Sequence, residues 1–273
     1  MPVFRYALER WPTSPYELIL FHQGPLSETE QALAKRLADQ EGGTNPPVNV
    51  TLRTVDVAAG DVPADLAPLW RRYQNKSTPL LVLLYPRGAA AEGVVWSGPA
   101  GDQSARRILD SPVRRRIVRR LLQGESSVWV FLESGDKARD DAAAAQLEKE
   151  LEQQQTKLKL PQVAEEDLST HRISATQGDL KLVFSLVRLS RTDPEEEVFV
   201  RMLLGSEEDL RDTKEPMAFP IFGRGRALFG LVGKGINSET IEEACSFLIG
   251  PCSCVVKEMN PGLDLLMTAD WDG

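Results

Sequence analysis

The sequence predicts an α/β fold built twice. Two tandem β-α-β-α-β-β-α units, each a mixed sheet flanked by helices, are expected over residues 1–124 and 125–273. Three observations carry this expectation. Short apolar runs of strand length alternate with stretches of helical period. The order of those elements recurs in the second half. Parallel neighbours in such an order need crossover helices, and right-handed crossovers make a layered α/β unit. The alternative is a single larger sheet crossing both halves. The chain has 273 residues, 42% of them hydrophobic and 26% charged, the composition of a globular protein with one large domain or two small ones.

Tyr16 to Phe21 is an apolar run and reads as a buried strand. His22-Gln23-Gly24-Pro25 is a turn. Ser27, with Glu30 three residues on, is a capping box for a helix reaching about Gln40, with Leu33 and Leu37 one turn apart. Gly42, Gly43, Pro46 and Pro47 break it. Val48 to Val57 alternates as a second strand, and Leu66 to Tyr73 is a second helix. Leu80 to Leu84 has no polar residue, so it is expected at the centre of a sheet. Pro86-Arg87-Gly88 turns the chain into Gly93 to Trp96, paired back as a hairpin. Helix follows from Asp102 to Gln123, interrupted at Ser111-Pro112 because proline suits a first helical position.

The second half repeats the order. Val128 to Leu132 is a strand, Ser134-Gly135-Asp136 a turn and cap, and Ala138 to Leu158 a long helix of good helix formers. Pro161 to Gly178 is a polar connector, and Leu180 to Leu189 a strand. Asp193 caps a helix ending near Leu204, with Glu196 as its capping-box carboxylate. Met217 to Phe222 is a strand in which Pro220 signals an edge or bulge. Gly223-Arg224-Gly225 turns into Ala227 to Val232. Asn237-Ser238 caps a helix to Ile249, and Cys252 to Val256 is expected to be extended. The tail from Pro261 has no clear period.

Charge is unevenly spread. Residues 1–124 carry 16 Lys and Arg against 12 Asp and Glu, net +4, while residues 125–273 carry 16 against 28, net −12. A chain with net charge −8 is a poor generic binder of nucleic acid. No apolar run approaches the roughly 20 residues of a membrane span. Three cysteines do not make a disulfide scaffold. The chain opens directly on its first fold elements, so a cytoplasmic location is expected. A leader missing from the sequence would instead make it an exported, periplasmic or lipoprotein species.

One stretch, Ser77-Thr78-Pro79-Leu80 through Leu84, Pro86-Arg87-Gly88, then Gly93 to Trp96 and Gly98, resembles the thioredoxin-like superfamily. The resemblance covers residues 16–123 well and 128–250 loosely, where Glu215-Pro216 and Gly233 make a weaker copy. It implies a cis peptide bond at Pro79 and an extended peptide bound beside Thr78 and Pro79. It also implies a Cys-x-x-Cys after the first strand of each unit, and the chain departs from that. Those places hold His22-Gln23-Gly24-Pro25 and Glu133-Ser134-Gly135-Asp136. Without two thiols there is no exchangeable disulfide and no attacking thiolate, so conventional disulfide exchange is not expected. No cofactor is expected either.

The remaining candidates each carry two readings. Cys252 and Cys254 share one face of an extended segment and Cys245 precedes them on a helix, which suits a Cu or Zn site or a redox pair. The same residues also suit small apolar core positions. Arg115, Arg116, Arg119 and Arg120 share a helix face opposite Val113, Ile117 and Leu121. They suit an acidic partner, a solvated face, or a dock for the acidic second half. No aromatics are interleaved for nucleic-acid stacking. His22 could act as acid or base, but no nucleophile motif accompanies it, so it reads as a turn histidine. The Gly-x-Gly at 223–225 lies between strands, which removes the phosphate-loop reading. Glu133 and Asp136 at a helix start read as caps. Trp11 and Trp271 are expected to clasp the termini or meet a partner. The leading expectation is a redox-inactive binding or scaffold module that engages a protein or peptide through His22, Thr78, Pro79 and the arginine helix. The alternative is a thiol-based metal or redox protein.

Overall fold

The apolar runs of the first half pair into one sheet: β1 (Tyr16–His22), β2 (Val50–Asp56), β3 (Leu80–Leu84) and β4 (Val94–Pro99), in the order β2-β1-β3-β4. The computed structural model describes residues 1–39, 47–58, 60–89, 91–160, 181–252 and 262–272. The protein is mixed α/β, with two mixed sheets flanked by helices. β1 runs parallel to β2 and antiparallel to β3, with Phe21 opposite Leu80. The parallel step is bridged by α2 (Glu28–Ala38), as a crossover requires. Its capping box forms as read: the Ser27 N–H donates to Glu30 Oε2 at 2.7 Å.

The second sheet holds β5 (Ser127–Leu132), β6 (Phe184–Leu189), β7 (Met217–Phe222), β8 (Arg226–Ala227), β9 (Leu231–Val232) and β10 (Leu263–Asp264). Its order is β10-β8-β7-β5-β6, with β9 also on β7. β5 is parallel to β6 and antiparallel to β7, the same senses as β1 with β2 and β3. The strand expected over Ala227 to Val232 is split into β8 and β9. The break faces Pro220, whose carbonyl accepts from Leu228 N at 3.0 Å. A strand residue turns its N–H and C=O to the same side. Proline therefore lacks its donor on the side where the ladder is interrupted.

Strand alternation sorts the apolar side chains into three clusters. Leu18, Leu20, Leu81 and Leu83 of the first sheet meet Val128, Val130 and Leu132 of the second in one shared core. The helices α4 (Asp102–Leu109), α5 (Pro112–Leu122) and α7 (Glu197–Leu204) also enter it. Ile19, Phe21 and Val82 face the other way and are covered by α3 (Ala67–Tyr73), whose Trp70 ring lies 5.0 Å from that of Phe21. Trp129 and Phe131 face α6 (Lys137–Lys157) and α8 (Ser238–Ile249). Each fully buried leucine contributes roughly 2 kcal/mol of transfer free energy, so the shared core binds the halves strongly.

Both ends of the chain cross between the halves. Residues 3–10 form α1, which the sequence reading did not include. Val3, Phe4, Ala7 and Trp11 pack on the second sheet's outer cluster. An eight-residue helix is marginal alone, and burial of this face holds it. The tail joins the two sheets. β10 pairs with β8, Thr268 bridges to Val48, and Asn49 Nδ2 donates to Leu265 O at 3.1 Å. Trp271 packs against the shared core, so both tryptophans flanking the core elements serve contacts within the chain.

Glu196 does not close a capping box on its own helix. It is fully buried, and its Oε1 accepts from the Val113 N–H at 2.7 Å, satisfying the first turn of α5 from the other half of the chain. Tyr85 similarly donates its hydroxyl to Arg201 O at 2.8 Å. His171, Cys254, the connector Pro161 to Gly178 and most of Cys252 to Val256 lie outside the described residues. Among the described residues, no helix is long and apolar enough to cross a membrane.

Candidate functional site

The antiparallel register that puts Phe21 opposite Leu80 carries the next pair, His22 and Pro79, to the same end of the sheet. The Thr78–Pro79 peptide bond is cis. Pro79 O accepts from Ala100 N at 2.9 Å, which ties the bend to the end of β4. The backbone of Thr78 makes no hydrogen bond to another described residue, and Thr78 is half-buried. This leaves one main-chain donor and one acceptor at the mouth of the sheet.

The loop after β1 is held from β2. Asp56 Oδ1 accepts from Gly24 N and Ala58 N, both at 2.9 Å. Those two N–H groups hold the Asp56 carboxyl below the usual carboxylate value. His22 Nδ1 lies 2.8 Å from Gly24 O and is half-buried. Gly24 has φ 75°, a left-handed conformation suited to glycine, so the turn forms without strain. The side chains of Gln23 and Pro25 remain exposed.

The corresponding loop after β5 is filled by its own chain. Asp140, 2% exposed, accepts from Ser134 N and Ser134 Oγ, both at 2.8 Å, and from Gly135 N at 3.0 Å. Arg191 donates to Glu133 O at 3.2 Å, Thr213 O at 2.7 Å and Glu215 O at 2.9 Å. Glu133 also pairs with Arg188 at 2.8 Å, and Arg139 pairs with Glu215 at 2.8 Å. Asp136 caps α6 as read, accepting from Ala138 N and Arg139 N.

The four arginines of α5 divide. Arg120 turns inward, donating to Ser185 Oγ at 2.9 Å and Leu186 O at 3.1 Å, so it docks the second half through neutral acceptors. Arg115 pairs with Asp110 at 2.6 Å. Arg116 and Arg119 are exposed and form no ion pair among the described residues. The neighbouring Arg114 is fully buried, which the sequence reading missed. Its spacing from Ile117, Val118 and Leu121 was the available signal.

Cys245 is fully buried among Ile241, Ala244, Leu248 and Ile249. Burial, assisted by the charge of Glu242, pushes its thiol up to about 12, so it stays protonated at neutral pH. Cys252 is half-buried beside that cluster, and its N–H donates to Met1 O at 3.0 Å. Among the described residues, no three His, Cys, Asp or Glu side chains are placed to hold a metal ion.

No model of a known protein family matches the chain, and no curated protein matches it.

Proposed function

We propose that the chain is a redox-inactive, tandem thioredoxin-like protein that binds a protein or peptide partner at the His22, Thr78 and Pro79 end of the first sheet. Three features support the fold part of this reading. The first sheet has the strand order of that superfamily, the second sheet repeats its central senses, and the bend before β3 carries a cis proline. The redox-inactive part follows from the residues at 22–25 and 133–136, which include no cysteine. The observation that carries the binding part is the Thr78 backbone, left without a hydrogen bond beside that proline. An extended peptide laid across the end of the sheet gains main-chain hydrogen bonds to the Thr78 N–H and C=O.

The test is selection from a library of extended peptides, followed by affinity measurement with Thr78→Arg. The reading expects the selected peptide to lose at least about tenfold in affinity, equivalent to about 1.4 kcal/mol. Glu148→Ala, on the exposed face of α6, should leave affinity unchanged. Equal binding by Thr78→Arg sinks the assignment. In parallel, the protein should not catalyse dithiol-driven reduction of a protein disulfide. Turnover in that assay refutes the redox-inactive part.

A further inference from the structure

We propose that the groove between the last turn of α2 and the corner of α4 and α5 binds an acidic peptide segment of the partner. This deepens the partner-binding reading and rests on it. The groove encloses about 970 Å³, a volume that takes several residues of a peptide. Arg36 comes from α2, Arg106 and Arg107 from α4, and Arg115 from α5. α4 begins just past Ala100, whose N–H holds Pro79 O, so the groove starts close in the chain to the cis-proline bend.

Its charges favour an anionic guest. Two of the four arginines have partners in their own chain: Arg36 with Asp102 at 2.7 Å and Arg115 with Asp110 at 2.6 Å. The side chains of the first pair are 47% and 67% exposed and those of the second 56% and 28%, so both pairs reach solvent, with Arg36 making a further contact in its own chain. Ion pairs this wet contribute little net stability and yield readily to a competing carboxylate. Arg106 and Arg107 form no ion pair among the described residues.

A second observation lies beneath the floor. Arg114, 1% exposed, donates to Ser111 Oγ at 3.0 Å, Ile108 O at 2.8 Å, Leu266 O at 3.2 Å and Arg107 O at 2.7 Å. These acceptors are all neutral. Burial lowers its pKa only to about 10, so it stays charged at neutral pH. Its charge is partly offset by nearby Asp110 and Glu196, so it adds only modestly to the positive potential beneath the groove. Ser111 and Arg107, two of its anchors, line the groove.

The acidic lining selects among anions. Asp102, Asp110 and Glu195 are interleaved with the cations. A dense polyphosphate or nucleic acid would set phosphates against them, whereas a peptide with spaced carboxylates can meet each guanidinium in turn. Ala105, Leu109 and Pro112 supply apolar floor for the intervening residues.

The probe is a fluorescein-labelled ten-residue peptide of alternating Glu and Gly, titrated with the full chain by fluorescence anisotropy at low and at physiological salt. Saturable binding that weakens with salt is expected, with Arg106→Glu/Arg107→Glu weakening it at least about tenfold. Arg106→Gln/Arg107→Gln, a milder pair that keeps side-chain length, should weaken it about threefold and serves if charge reversal disturbs folding. Glu148→Ala, on the exposed face of α6, should bind the probe as wild type does. Loss in Thr78→Arg with wild-type binding by the Arg106/Arg107 variants overturns the groove while supporting the cis-proline edge. Loss only in Arg116→Glu/Arg119→Glu overturns it in favour of the exposed face of α5. No saturation below about 1 mM overturns it, leaving the edge to its own library test. Equal binding by a charge-matched tripolyphosphate overturns the peptide assignment and leaves a generic polyanion site.

Discussion

The loops after β1 and β5 stand at matching places in two sheets of the same central connectivity, yet their polar groups are used differently. After β5, Asp140 takes up the donors of Ser134 and Gly135, and Arg191 takes up three carbonyls across the mouth. After β1, Asp56 steadies Gly24 and Ala58, while Thr78 across the mouth keeps its main-chain groups unpaired. One fold therefore closes one mouth with its own side chains and leaves the other open. The difference teaches that two sheets with the same central strand senses can treat the same loop differently, with only a few polar residues deciding whether its backbone groups are satisfied from within the chain.

The largest effect is expected from removing the closure at its base. Asp140→Ala leaves three donors without their carboxylate at a nearly buried site, so unfolding free energy in urea should fall by about 3 kcal/mol. A change under about 0.5 kcal/mol would mean that water replaces Asp140 and the mouth is not closed by it. Arg191→Ala should cost about 2 kcal/mol, because three carbonyls lose one charged donor. It should also speed hydrogen exchange at the amides of Ser134 to Asp136. Unchanged exchange there would break the comparison, since both loops would then be equally loose.

Two smaller effects depend on pH. Burial raises the pKa of Glu196 above its ordinary value of 4.5, so the folded protein holds that proton more tightly than the unfolded chain does. Stability therefore declines as pH rises from about 4.5 through the raised value. Glu196→Gln should gain on wild type across that window and hold a constant difference above it. A flat difference would show that the carboxylate joining the halves does not titrate there. Asp56 works in the opposite sense and more weakly, because it is solvated. Its pKa is depressed below 3.8, so its contribution is complete above that value and fades as pH falls through the folded value. Asp56→Asn should shrink the acid-side loss slightly. Chemical-denaturation midpoints from pH 2 to 8 measure both.

Much of the fold was legible before the structure. The run Leu80 to Leu84, the Ser27–Glu30 box, the Asp136 and Asn237 caps and the break at Ser111-Pro112 all occur as read. The cis bond at Thr78–Pro79 also agrees with what the resemblance implied. The candidate site was legible only as residue types. His22 and Pro79 are 57 positions apart, and the β1–β3 register brings them to one end. Helical spacing puts Arg115, Arg116, Arg119 and Arg120 on a single surface, but Arg120 reaches Ser185, and the neighbouring Arg114 is buried against Leu266.

Apolar period, capping residues, glycine and proline act over a few residues, so the sequence by itself determined most of the strands and turns and several helix starts, but not α1, β10 or the break between β8 and β9. The absence of thiols at 22–25 and 133–136 is likewise a matter of sequence alone. Only the tertiary structure decided that α1 packs on the second sheet, that Glu196 caps a helix in the other half, and that Arg191 closes one mouth while Thr78 leaves the other open. Those contacts join groups up to hundreds of positions apart. They arise because a buried donor, acceptor or apolar face must be satisfied by whatever the fold brings near, and no local pattern records which residue that is.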